Sequence, residues 1–225
     1  MTSHDQLSKS LIKTFFAEFL GLIEPGSAPR LRTGEATFLD KEDFTDWPAG
    51  DRREMDLVAR LPVEGQELPL LVHVEIETDF RTGMDHRLWQ YYMQLHLRHE
   101  LPVLPILVNL RGGRPGVHRG TLREVFDGLV TSVFHWVLGL SGCHAEEWLA
   151  RPEPIAWAFA ALMRPGNWSR AELKLACLRR IATSDVVGLR KRILVDWVET
   201  YVQLTGELVG SLLRDGPKTP ELSKT

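Results

Sequence analysis

Three carboxylates interrupt runs that otherwise have the composition of buried strands. Met55-Asp56-Leu57-Val58-Ala59-Arg60-Leu61 and Leu70-Leu71-Val72-His73-Val74-Glu75-Ile76-Glu77-Thr78 are rich in aliphatic and β-branched residues, yet they carry Asp56, Glu75 and Glu77. Carboxylates in a sheet core are costly unless they are paired or bound to a cation. An aspartate on one strand facing Glu-x-Glu on its neighbour offers hard oxygen donors to a divalent ion. Such an ion suits phosphodiester cleavage, where it orients the attacking water and offsets the charge growing on phosphorus. Side chains alternate along a strand, so His73, Glu75 and Glu77 share one face while Val72, Val74 and Ile76 take the other. His73 is therefore a candidate for bracing the ligands or touching substrate. An Asp…Glu-x-Glu spacing alone is a weak signal, common by chance on exposed edge strands. Its apolar neighbours are what strengthen it here.

The elements that must position these groups follow from periodicity. Leu7, Leu11, Phe15, Phe16, Phe19, Leu20 and Ile23 recur at helical spacing and predict one helix over Gln6 to Ile23, ended by Gly21 and Pro25-Gly26. Phe38-Leu39 opens a polar stretch, Asp40 to Gly50, expected to be an edge strand or a loop over the site. Strands are predicted over Arg53 to Leu61 and Leu70 to Glu77, joined as a hairpin through Pro62-Val63-Glu64-Gly65-Gln66-Glu67. Leu88, Trp89, Tyr92, Leu95 and His99 predict a helix over Asp85 to Glu100. The apolar run Val103 to Leu110 fits a buried, parallel strand, against which Pro105 weighs. Arg111 to Gly116 has the composition of a loop. This order is α/β, with a helix crossing over between Glu77 and Val103. The second half predicts one strand over Val130 to Leu138. Helices follow at Glu146–Leu149, Pro154–Met163, Ser169–Ile181 and Ser184–Leu204, with Asn167-Trp168-Ser169 supplying an N-cap for the third and Ser184 one for the fourth. Residues 215–225 form a polar tail expected to be flexible.

Taken in order, the first helix, Phe38-Leu39-Asp40-Lys41-Glu42, Arg53-Glu54-Met55-Asp56-Leu57-Val58 and His73-Val74-Glu75-Ile76-Glu77 resemble the PD-(D/E)XK nuclease superfamily. More narrowly they resemble the bacterial recombination-promoting nuclease and putative transposase family. The helix with Arg87-Leu88-Trp89-Gln90-Tyr91-Tyr92 and the strand Leu101-Pro102-Val103-Leu104-Pro105-Ile106-Leu107 are similar to that family's layout. The likeness covers about residues 4 to 111. It implies a restriction-endonuclease-like mixed sheet flanked by helices, with an α-helical C-terminal extension. The corresponding domains are a nuclease-like core over residues 1–115 and the remaining strand and helical extension over 116–214. Asp56 would bridge the metal, Glu75 would be its second ligand, and the carbonyl of Ile76 would complete the shell around Mg2+ or Mn2+. Glu77 stands where the superfamily has Lys and this family usually has Gln, and counts as the third catalytic position. An acidic residue from the first helix is also implied, Asp5 or Glu18, with Asp5 favoured by its setting of His4-Asp5 and Lys9. Lys41, Arg53, His73, Arg87 and Gln90 are the candidate supporting residues, Lys41 or Arg53 as a donor in place of the missing lysine.

Glu77 adds negative charge beside Asp56 and Glu75 and offers no donor to the scissile phosphate. Like charges this close raise one another's pKa unless a cation binds. The expected function is thus a metal-dependent DNA endonuclease linked to recombination or mobile elements. The alternative is a catalytically weakened or inactive protein of that fold, acting as an interaction or DNA-binding module. A hydrolase of small phosphoesters is a third reading. DNA is the expected partner, with a homo-oligomer possible.

With 44% apolar and 25% charged residues and a net charge of −3, the chain has ordinary globular composition and no strongly basic balance. Its basic runs are local, around Arg111, Arg114, His118, Arg119 and Arg123 and around Arg179 to Arg192, and are expected to be solvated faces. No stretch approaches the roughly 18 continuous apolar residues that span a bilayer, and a secretory signal is not expected. Cys143 and Cys177 form no C-x-x-C pair and are expected to be buried small side chains in a reduced, cytoplasmic setting. Trp136, Trp157, Trp168 and Trp197 are expected to be core anchors.

Overall fold

A computed structural model describes residues 4–39, 55–126 and 129–203. The stretch from Asp40 to Gly50, with Lys41, the neighbouring Arg53 and the tail over 215–225 lie outside the described residues.

The single N-terminal helix expected over Gln6 to Ile23 is two helices, α1 (His4–Thr14) and α2 (Phe16–Ile23). The ladder breaks at Phe15, whose φ of −116° and ψ of 37° are not helical. The break has a packing reason. Leu7 and Leu11 bury in one compact unit, whereas Phe16, Phe19, Leu20 and Ile23 bury in another. The first unit comprises the described residues up to Thr14 together with those from His144 onward, and the second is Phe15–Cys143. The boundary expected after residue 115 falls inside the second unit.

That second unit is a mixed six-stranded sheet. Its strands are β1 (Thr37–Phe38), β2 (Leu57–Leu61), β3 (Leu70–Asp79), β4 (Val103–Arg111), β5 (Gly116–Phe126) and β6 (Leu129–Gly139), in spatial order β1-β2-β3-β4-β6-β5. β2 and β3 form the expected antiparallel hairpin, with Leu57 opposite Val74 and Leu61 opposite Leu70. β3 and β4 are parallel, as are β4 and β6. The connection from β3 to β4 is the helix α3 (Met84–His99). Its buried residues Met84, Leu88, Tyr91 and Leu95 recur at helical spacing. Tyr91 and Leu95 join Val58, Leu71 and Leu101 in one core cluster, and Met84 and Leu88 join Leu107 and Val137 in another.

Pro105 is accommodated in β4 because pairing with β6 begins only at Ile106, so its ring lies beyond the ladder on that side. β5 was not expected. Its sequence, Gly116-Val117-His118-Arg119-Gly120-Thr121-Leu122-Arg123, is polar and contains two glycines. It is a strand because it pairs antiparallel with β6 from Gly116↔Gly139 to Phe126↔Leu129.

The first unit is helical, with α4 (Ala145–Leu149), α5 (Pro154–Ala160), α6 (Arg170–Ala182) and α7 (Gly188–Tyr201) beside α1. Ser169 caps α6 as expected. Its hydroxyl accepts from Glu172 N while Glu172 returns a bond to Ser169 N, a capping box. Ser184 does not cap α7, which starts four residues later at Gly188. Its hydroxyl instead donates to the carbonyl of Ile181, 2.7 Å away. Trp157 and Trp197 are core residues, the latter packed edge-on against Phe159. Both cysteines are free and buried. Burial pushes the Cys177 thiol up to about 12. Among the described residues no helix is long and apolar enough to cross a membrane.

Candidate functional site

The hairpin of β2 and β3 brings two of the three carboxylates together. Asp56 is not inside a strand, as the sequence suggested, but in the bend just before β2. From there its Oδ2 accepts a hydrogen bond from Ile76 N at 2.8 Å, and its own N–H donates to Glu75 Oε1 at 3.3 Å. Glu75 is fully buried and Glu77 is nearly so. The expected pleat holds, since His73 lies on the face of Glu75, with its Nε2 2.9 Å from Glu75 Oε1. His73 is itself fully buried against the edge of the Tyr91 ring, and its Nδ1 has no hydrogen-bond partner among the described residues.

The cation on these groups is Arg87, from the first turn of α3. One guanidinium nitrogen donates to Glu77 Oε1 at 3.0 Å, another to Glu75 Oε2 at 3.3 Å, and Nε donates to the Tyr91 hydroxyl at 3.1 Å. Arg81 stands 3.7 Å from Glu77 but is 71% exposed, which makes it a weak partner. Among the described residues, Glu75 and Glu77 thus share the Arg87 guanidinium. Burial pushes the Glu77 carboxyl above the usual range; Arg87 and Arg81 pull it down, while Glu75 and Asp56 push it further up. Burial opposes the charge of Arg87, but Glu75, the Tyr91 hydroxyl and Glu77 outweigh it and hold its pKa above the ordinary arginine value.

Asn109 completes the site and was missed in the sequence. It is Glu77's partner across the parallel β3–β4 ladder, it is buried, and its Oδ1 has no hydrogen-bond partner among the described residues. Its signal was a lone amide inside the apolar run Ile106-Leu107-Val108-Asn109-Leu110. The donors therefore suit a divalent cation in kind, being carboxylate oxygens beside a buried amide oxygen. They are not arranged as a cage. Among the described residues no three His, Cys, Asp or Glu side chains stand in position to hold a metal, and the carboxylates of Glu75 and Glu77 are engaged by Arg87.

The other expected residues fall elsewhere. Asp5 belongs to the other unit, where Lys9 holds its carboxylate at 2.8 Å. Glu18 lies half-buried on α2, and Gln90 is exposed on α3. A groove of about 660 Å³ opens around Arg30, Val63, Gln66, Glu67 and Pro102, none of them a site residue.

A second polar cluster occupies the same face of the sheet. His135 of β6 is buried, with Nε2 3.0 Å from Asp85 Oδ1 on α3. Burial pushes its pKa below the ordinary histidine range, Asp85 opposes this and His118 adds to it. Gly120 makes room for the ring, because a Cβ there would lie 2.2 Å from Nε2.

No family model, curated protein or solved structure matches this chain.

Proposed function

We propose that this protein is a metal-dependent endonuclease of restriction-endonuclease-like fold that cleaves DNA phosphodiesters. In this reading Asp56 and Glu75 hold a Mg2+ or Mn2+ ion, with the carbonyl of Ile76 as a further ligand. The observation that carries the reading is the meeting of Asp56 with a fully buried Glu75, each bonded to the other's backbone or its neighbour's. Among the described residues, Arg87 is shared between Glu75 and Glu77. A divalent ion held by these oxygens would acidify water and polarise a phosphoryl oxygen. Glu77 and Asn109 border the same place, and His73 fixes the Glu75 carboxylate.

The engagement of both glutamates by Arg87 favours a second reading, a protein of the same fold acting as a DNA-binding or interaction module without cleavage. Supercoiled plasmid with Mn2+ separates the two. The nuclease reading expects nicking that is lost in Asp56→Ala and increased in Glu77→Gln. Absence of nicking by both the parent protein and Glu77→Gln supports the second reading.

A further inference from the structure

The structure has already chosen a cation for the carboxylates, and that cation is a side chain. Glu75 is fully buried, so its charge needs a partner at all times. Arg87 meets this need with one nitrogen on each glutamate. Its resting position is built, because Nε is held by the hydroxyl of Tyr91, a residue only 3% exposed. The Arg87 side chain is nevertheless one-quarter exposed, so it sits at the mouth of the site. A guanidinium pairs with phosphate oxygens as readily as with carboxylates, through the same two-pronged geometry.

We propose that Arg87 is a resident counter-ion which a divalent metal must displace, and that a DNA phosphate favours the exchange by taking the guanidinium onto itself. This rests on the metal-binding reading above. A metal supplies the glutamates with the charge that Arg87 withdraws, and the phosphate supplies Arg87 with the partner it loses. Metal and DNA then bind cooperatively, and the coupling is reciprocal. In the free protein the apparent metal affinity is lowered by the fraction of molecules in which Arg87 holds the glutamates. Arg87 is in these terms a positioning residue for the carboxylates in the resting state.

The test is calorimetric titration of Ca2+, a hard cation with the same preference for oxygen donors, into the full chain with and without a short DNA duplex. The parent protein is expected to bind Ca2+ roughly 10-fold more tightly with duplex than without, which corresponds to about 1.4 kcal/mol. Arg87→Gln is expected to bind Ca2+ tightly in both conditions, and to gain a thermal shift on Ca2+ addition that the parent protein lacks. Tyr91→Phe keeps the charge and frees Nε, so it is expected to shift in the same direction by less, and it serves if Arg87→Gln does not fold. Equal affinities in parent and variants, with no effect of duplex, would overturn the counter-ion role while leaving metal binding in place. Failure of every variant to bind Ca2+, with or without duplex, would overturn both.

Discussion

The sheet face beneath α3 carries two polar clusters of opposite construction. At one, β3 supplies buried carboxylates and the helix supplies Arg87. At the other, β6 supplies a buried imidazole and the helix supplies Asp85. Both lie within the first turn of the same helix, so neither differs by scaffold. They differ in balance. The histidine cluster sets one buried imidazole opposite one half-exposed carboxylate, 3.0 Å away, although Nε2 makes no hydrogen bond among the described residues. The glutamate cluster sets two carboxylates, Glu75 and Glu77, against the Arg87 guanidinium, with Asp56 and an Asn109 amide oxygen that has no hydrogen-bond partner among the described residues beside them.

The sharpest break in the comparison is expected in activity. Glu75→Ala and Asp56→Ala should each lower Mn2+-dependent plasmid nicking by on the order of 10²–10³-fold, while Asp85→Ala should leave it unchanged. Stability comes next. Arg87→Ala leaves the buried Glu75 without its cation and should destabilise the metal-free protein by about 2–3 kcal/mol, less than a fully enclosed pair because the arginine is at the rim. Added Mn2+ should restore much of this in thermal unfolding. Gly120→Ala forces a methyl group into the His135 ring and should cost about 1–3 kcal/mol, with no restoration by metal.

The smallest effect concerns pH. His135 has a folded pKa below its unfolded value, so its stabilising contribution is fully present above the ordinary value of 6.5 and is lost as pH falls toward the lowered folded one. Denaturant midpoints measured across that window should fall on acidification, and His135→Asn should flatten the slope. Asp85→Asn should steepen it slightly, since Asp85 favours the charged imidazole.

Much of this was legible in the sequence. The apolar runs with their misplaced acids located β2, β3 and the candidate carboxylate cluster, and the two-residue period put His73 with Glu75 and Glu77. Arg87 was legible as a candidate but not as the partner of both glutamates, because its reach depends on how α3 seats against β3. Asn109 went unread for a similar reason: a single amide in an apolar strand becomes informative only when its neighbour across the sheet is known to be Glu77. β5 was hidden because its strand character comes from pairing with β6 and not from its own residues. The break at Phe15 was hidden because Phe15 and its neighbours fit one helical stripe, although the two halves bury in different units.

The most direct measurement is anomalous scattering from crystals of the protein grown with Mn2+ and a short DNA duplex, with Arg87→Gln crystals as a second preparation. The prediction is an anomalous peak in contact with both the Asp56 and Glu75 carboxylates, with Arg87 of the parent protein moved onto a phosphate. A peak elsewhere, or none at these two carboxylates in either crystal, would contradict it.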